Sequence, residues 1–164
     1  MSDVNCSDKD TVDYVKAVVK ALDLGNQEVL LAVAWTTAEG RLYHKKFPRV
    51  LGVDVKYGTN NERRPLLRLN GRTANDKIFS VMDCYMPNEM MASYFWGLYD
   101  ALINNTDEMA LKKTSIIPSD QDREQLDAIR SILQMSDKPL GDAALVLCKW
   151  HLVSLISFLS AIAQ

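Results

Sequence analysis

Apolar and polar positions change their period several times along this chain. From Thr11 to Leu24, Val12, Val15, Val18, Val19 and Leu22 recur at helical spacing, and Gly25 is a natural stop. Val29 to Thr37 is a short apolar run that reads as extended and ends near a turn at Glu39-Gly40. Arg49 to Tyr57, rich in valine, reads as a buried strand. Pro65 to Asn70 and Lys77 to Met86 read as two more strands, joined by a polar turn around Gly71 to Asp76. The period then becomes helical. Met91, Tyr94, Phe95, Leu98 and Leu102 share one face, with Asn88 as a candidate N-cap and Glu89 suited to the positive end of the helix. Phe95, Trp96 and Tyr99 are expected to pack on that helix rather than to stack bases. After a polar link over Asn104 to Lys113, the pattern predicts a strand over Thr114 to Pro118 and a helix over Gln121 to Gln134. A last strand follows over Ala143 to Cys148, then a helix over Leu152 to Ala163. Three meander strands followed by alternating helices and strands predict an α/β fold: a mixed sheet with helices on its faces.

The composition is ordinary for a globular domain, 48% hydrophobic and 24% charged over 164 residues. The longest apolar stretch, Leu152 to Ala163, falls short of the roughly 20 residues a bilayer needs, so no membrane partner is expected. The three cysteines, Cys6, Cys84 and Cys148, are widely spaced and favour a reducing compartment over a disulfide framework. Charge alters the picture more. The net charge is −2, yet residues 41 to 77 hold ten Lys/Arg against three acids, so this segment is +7 and the remainder −9. Such a segment either tracks a polyanion backbone or solvates strand and turn surfaces. Lys45, Lys46, Arg49, Arg63 and Arg64 are its candidate DNA-binding residues.

Two acids carry the candidate chemistry. Asp54 interrupts an apolar strand, which is costly unless it is paired or binds a cation. Asp120 directly follows the Thr114 to Pro118 strand. If the two strands are neighbours, both carboxylates meet, and oxygen ligands of that kind suit Mg²⁺ or Mn²⁺. A pair of such ions polarises a phosphodiester and activates water or a 3′-hydroxyl. The plainer alternatives are that Asp120 caps the following helix, sharing the task with Ser119 and Asp122, and that Asp54 pairs with Lys56 or an arginine.

Four blocks in order resemble the MULE (Mutator-like element) transposase domain. They are FPRVLGVDVKYGTNNERRPLL from Phe47, PNEMMASYFWGLYDAL from Pro87, SIIPSDQDREQLDAI from Ser115 and CKWHLV from Cys148. The last is similar to that family's Cys-x-Trp-His signature, carried here by Cys148 and His151. The resemblance spans roughly residues 30 to 153. It implies an RNase H-like three-layer fold: a mixed five-stranded sheet in the order 3-2-1-4-5, helices on both faces and, here, an added N-terminal helix. Residues 1–28 are then a helical extension and 29–164 the transposase domain.

The resemblance also implies a DDE nucleotidyl transferase using two Mg²⁺ or Mn²⁺ ions, with Asp54 and Asp120 as catalytic, metal-binding acids and Asp122 the competitor for the second position. DNA (terminal inverted repeats), a nuclear location and a possible homo-oligomer are the implied partners and setting. Two departures stand out. Lys56 occupies a position where the family often has Thr. The family's final glutamate lies on a helix well beyond the Cys-x-Trp-His block, whereas the 13 residues after His151 contain no acid. The expectation is therefore a C-terminally incomplete domain, with Glu89 as a possible third acid and little strand transfer by the isolated chain. The alternatives are a non-catalytic nuclear DNA-associated regulatory protein derived from such a transposase, and a nuclease of the same fold using Asp54, Glu89 and Asp120. A zinc site at Cys148 and His151 would need two further ligands.

Overall fold

A computed structural model describes residues 30–148. The helices expected over residues 11–24 and 152–163, and His151, lie outside the described residues. Six strands lie within or close to the stretches predicted to be extended: β1 (Val33–Trp35), β2 (Gly52–Lys56), β3 (Leu66–Arg72), β4 (Ile78–Tyr85), β5 (Ile116–Ser119) and β6 (Ala144–Leu147). β1 to β4 form an antiparallel sheet in the order β1-β4-β3-β2, and β5 and β6 form a parallel pair. The segment entering β2 meets the start of β5: the Leu51 amide donates to the Ile116 carbonyl at 3.1 Å, and the Ile116 amide to the Arg49 carbonyl at 3.1 Å. The fold is thus mixed α/β, with a four-stranded antiparallel sheet and a small parallel one.

The buried face of the larger sheet presents Val53, Leu67, Leu69, Met82 and Cys84 to Tyr94, Leu98, Leu102, Ile129 and Ile132. Those partners come from a helix made of α2 (Met91–Phe95), a π-helical stretch (Trp96–Ala101) and α3 (Leu102–Asn105), and from α5 (Arg123–Leu133). Phe95, Trp96 and Tyr99 pack against this core, as their spacing predicts. Gly97 lets the helix sit close on β3, because a Cβ there would lie 2.7 Å from Leu67 Cδ2.

Three local readings need correction. Where a turn was expected at Glu39-Gly40, the chain forms α1 (Ala38–Lys46), capped by Thr37 Oγ1, which accepts from the Gly40 amide at 2.9 Å. Its anchor is tertiary: Tyr43 lies over Phe79 with ring centroids 5.5 Å apart. The polar link after Asn104 contains α4 (Glu108–Leu111), capped by Asp107. Asn88 is not the N-cap of α2. Met90 holds that place, and Asn88 Oδ1 instead accepts from the Met90 amide and the Ser93 hydroxyl.

His44 on α1 is fully buried, and neither ring nitrogen has a hydrogen-bond partner among the described residues. Burial holds its pKa below the usual 6.5, opposed by the nearby Asp107 carboxylate. The unfolded chain therefore takes up a proton at higher pH than the fold does. His44 contributes no penalty above pH ~6.5, and stability falls as pH drops through that value toward the folded pKa. Urea midpoints measured at pH 7.5 and 5.5 should show this loss, and His44→Phe should reduce it. An undiminished loss in the variant would assign the effect to other groups.

Candidate active site

Asp54 sits mid-strand on β2, on the face opposite Val53, and is half-buried. In register it lies opposite Arg68, which in turn lies opposite Asp83. The Arg68 guanidinium goes to the second acid: Nε donates to Asp83 Oδ1 at 2.8 Å, and the Ser80 hydroxyl donates to the other oxygen at 2.8 Å. The arginine that could have neutralised Asp54 is thereby committed elsewhere, and Asp54 has no ion pair among the described residues. Lys56 is exposed and stays out of the cavity that Asp54 lines.

Asp120 follows β5 directly, where parallel pairing ends. The cap of α5 is Asp122, whose Oδ1 accepts from the Gln125 amide at 2.8 Å. The capping role is thus filled by the neighbour and not by Asp120. Asp54 and Asp120 line one cavity of about 740 Å³, together with Gly52, Asn70, Arg72 and Cys148. The strand that carries Cys148 to this place is pinned by its amide, which donates to the Ser119 carbonyl at 2.8 Å.

Glu89 does not line that cavity. It accepts from the hydroxyls of Tyr57 and Tyr94, the latter at 3.2 Å. Burial raises the pKa of Tyr57 strongly, and Glu89, Asp122 and Asp120 raise it further. Burial likewise raises that of Tyr94, with Asp122 and Glu89 adding to it. Both phenols remain proton donors at any working pH. The three acids therefore all act on Tyr57 electrostatically, and of them Glu89 accepts the hydrogen bond of its hydroxyl.

The basic candidates divide. Lys45 pairs with Asp107 at 3.3 Å. Arg64 pairs with Glu62 at 2.6 Å and donates to the carbonyls of Leu30 and Leu31, a tether rather than a free contact. Arg63 is exposed in the β2–β3 turn at φ 55°. Lys46 and Arg49 lie together in a separate cleft. The tyrosine pair around Glu89 was not read from the sequence, because Tyr57 and Glu89 are 32 positions apart and no periodicity links them.

A family model described as the MULE transposase domain matches residues 50–155, more than half of the chain. The chain belongs to the MULE transposase domain family. No curated protein and no solved structure matches it. Within this MULE domain the matched region begins at the strand of Asp54 and includes Glu89, Asp120 and Cys148. Among the described residues, no helix is long and apolar enough to cross a membrane.

Proposed function

We propose that this MULE domain carries out metal-dependent phosphodiester chemistry on DNA, with Asp54 and Asp120 as the acids that hold the cation. The observation carrying this reading is that two carboxylates, 66 positions apart in sequence, line a single cavity, and that Asp54 is drawn into no ion pair among the described residues. Arg68 serves Asp83, and Asp122 caps the helix. The strand arrangement supports the reading. Counting the hydrogen bonds between Arg49–Leu51 and Ile116 as a junction would make β4-β3-β2-β5-β6 compatible with the RNase H-like order 3-2-1-4-5, with β1 added at one edge.

The donor set suits a hard cation. Among the described residues there is no group of three or more His, Cys, Asp and Glu placed to hold a metal. Mg²⁺, however, is commonly bound through one or two carboxylates, with water and substrate phosphate completing its shell. When bound, the ion would polarise the scissile phosphate and lower the pKa of the attacking hydroxyl or water. The chain's own part is to hold two anionic oxygen donors, one on β2 and one directly after β5, at positions the core fixes. Glu89 stays tied to two tyrosines, Tyr57 and Tyr94, and is not one of the donors.

The test is calorimetric titration of the full chain with Mn²⁺. Binding should be measurable, and Asp54→Asn and Asp120→Asn should each weaken it tenfold or more, with thermal unfolding used to check that the variants fold. Wild-type protein that binds no Mn²⁺, or variants that bind as it does, would overturn the assignment. Absent metal binding with retained DNA binding is the outcome expected of a non-catalytic, DNA-associated descendant.

A further inference from the structure

A second concavity, of about 790 Å³, lies where β2 and β5 begin. Its lining includes Lys46 at the end of α1, Arg49 before β2, Arg72 at the end of β3, and Lys112, Lys113 and Thr114 between α4 and β5. All five cations are exposed. Among the described residues the one acid in the lining, Asp142, is ion-paired with Lys138. Lys112 pairs with Glu108 and Arg72 with Asp76, both solvent-exposed pairs of the kind that contribute little and exchange readily for a better anion. Lys46, Arg49 and Lys113 have no carboxylate partner among the described residues. Thr114 is buried, and its hydroxyl has no hydrogen-bond partner among the described residues.

A chain with net charge −2 has no general reason to gather five cations in one hollow. Three separate segments supply them, so they are not the residue of one basic run. Arg72 also lines the cavity of Asp54 and Asp120, which makes the two concavities neighbours.

We infer that this cleft is a binding site for the phosphate backbone of duplex DNA, holding the duplex beside the carboxylate cavity. The inference rests on the DNA-directed reading above but is independent of the metal. Cations facing a backbone release counterions on binding, so affinity should fall steeply with salt, with a slope set by the number of phosphates engaged.

The experiment is fluorescence anisotropy of a labelled duplex of arbitrary sequence, titrated with the full chain in EDTA from 50 to 200 mM salt. The combined variant Lys46→Ala/Arg49→Ala/Lys113→Ala should bind at least about tenfold more weakly, with a log–log salt slope shallower by roughly 2–3. The single Lys113→Glu variant, a change at an exposed position, should shift affinity the same way, and it decides the matter if the triple variant fails to fold. Arg123→Ala/Arg130→Ala, exposed cations on α5 outside the cleft, should leave both readouts unchanged. Equal losses in the two sets, an unaltered slope, or no duplex binding by the wild-type chain would overturn the proposal. Because metal is absent throughout, a failed Mn²⁺ titration sinks the carboxylate assignment alone, and a failed salt analysis sinks the cleft alone.

Discussion

Replacing Leu67 by Ala should destabilise the domain by about 2–5 kcal/mol, and the loss should shrink when Gly97 is changed as well. Leu67 is fully buried on the central strand β3, so its removal leaves a cavity between sheet and helix. Gly97→Ala alone should cost about 1–3 kcal/mol by overpacking, because its new Cβ would lie 2.7 Å from Leu67 Cδ2. The better helix propensity of Ala offsets up to ~1 kcal/mol of that cost. In Leu67→Ala/Gly97→Ala the added methyl enters the space the leucine vacated. Urea denaturation of the four proteins should therefore give a coupling energy of ~1 kcal/mol or more, in the direction of rescue. Strict additivity would mean that the helix shifts away from the sheet instead of resting on that contact.

Gly141→Ala should cost about two to three times as much as Gly58→Ala. Both glycines have left-handed backbone, at φ 62° and 67°, so each variant carries the ~1–2 kcal/mol penalty of a β-carbon in that region. At Gly58 nothing lies within 4 Å of the new atom. At Gly141 it would meet the Lys112 carbonyl oxygen at 2.3 Å. That neighbour is backbone and cannot turn aside like a side chain, so a further ~1–3 kcal/mol is expected as the segment before β5 is pushed out. Paired unfolding curves separate the two contributions. Equal losses at both sites would show that only the dihedral matters. Because Lys112 lines the basic cleft, Gly141→Ala should also disturb the cleft's cations, which the anisotropy assay can read directly.

β2 and β3 were legible because apolar and polar positions alternate along them: on β3, Leu67 and Leu69 point inward while Arg68 and Asn70 do not. Asp54 stood out for the same reason, an acid set among valines. α1 was hidden, because AEGRLYHKK is polar with a glycine near its start and owes its packing to Phe79 and Ser80, far along the chain. The basic segment 41–77 pointed to Lys46 and Arg49, but not to the role of Lys112 and Lys113. These lie outside that segment, and only the pairing of the chain before β2 with β5 brings them to the same hollow. Local pattern reports which face a residue takes. It does not report which distant segment shares that face.

The wide turn over Trp96–Ala101 gives the long helix a kind of slack. A π-helical stretch holds a residue more than the same rise needs as α-helix, so losing one there restores ordinary winding and leaves both flanks in register. Loss anywhere else along the helix would swing everything beyond it by ~100° and turn its buried face toward solvent. Length variation among descendants of this chain has one inexpensive place to occur, and it lies over the middle of the sheet rather than at a loop.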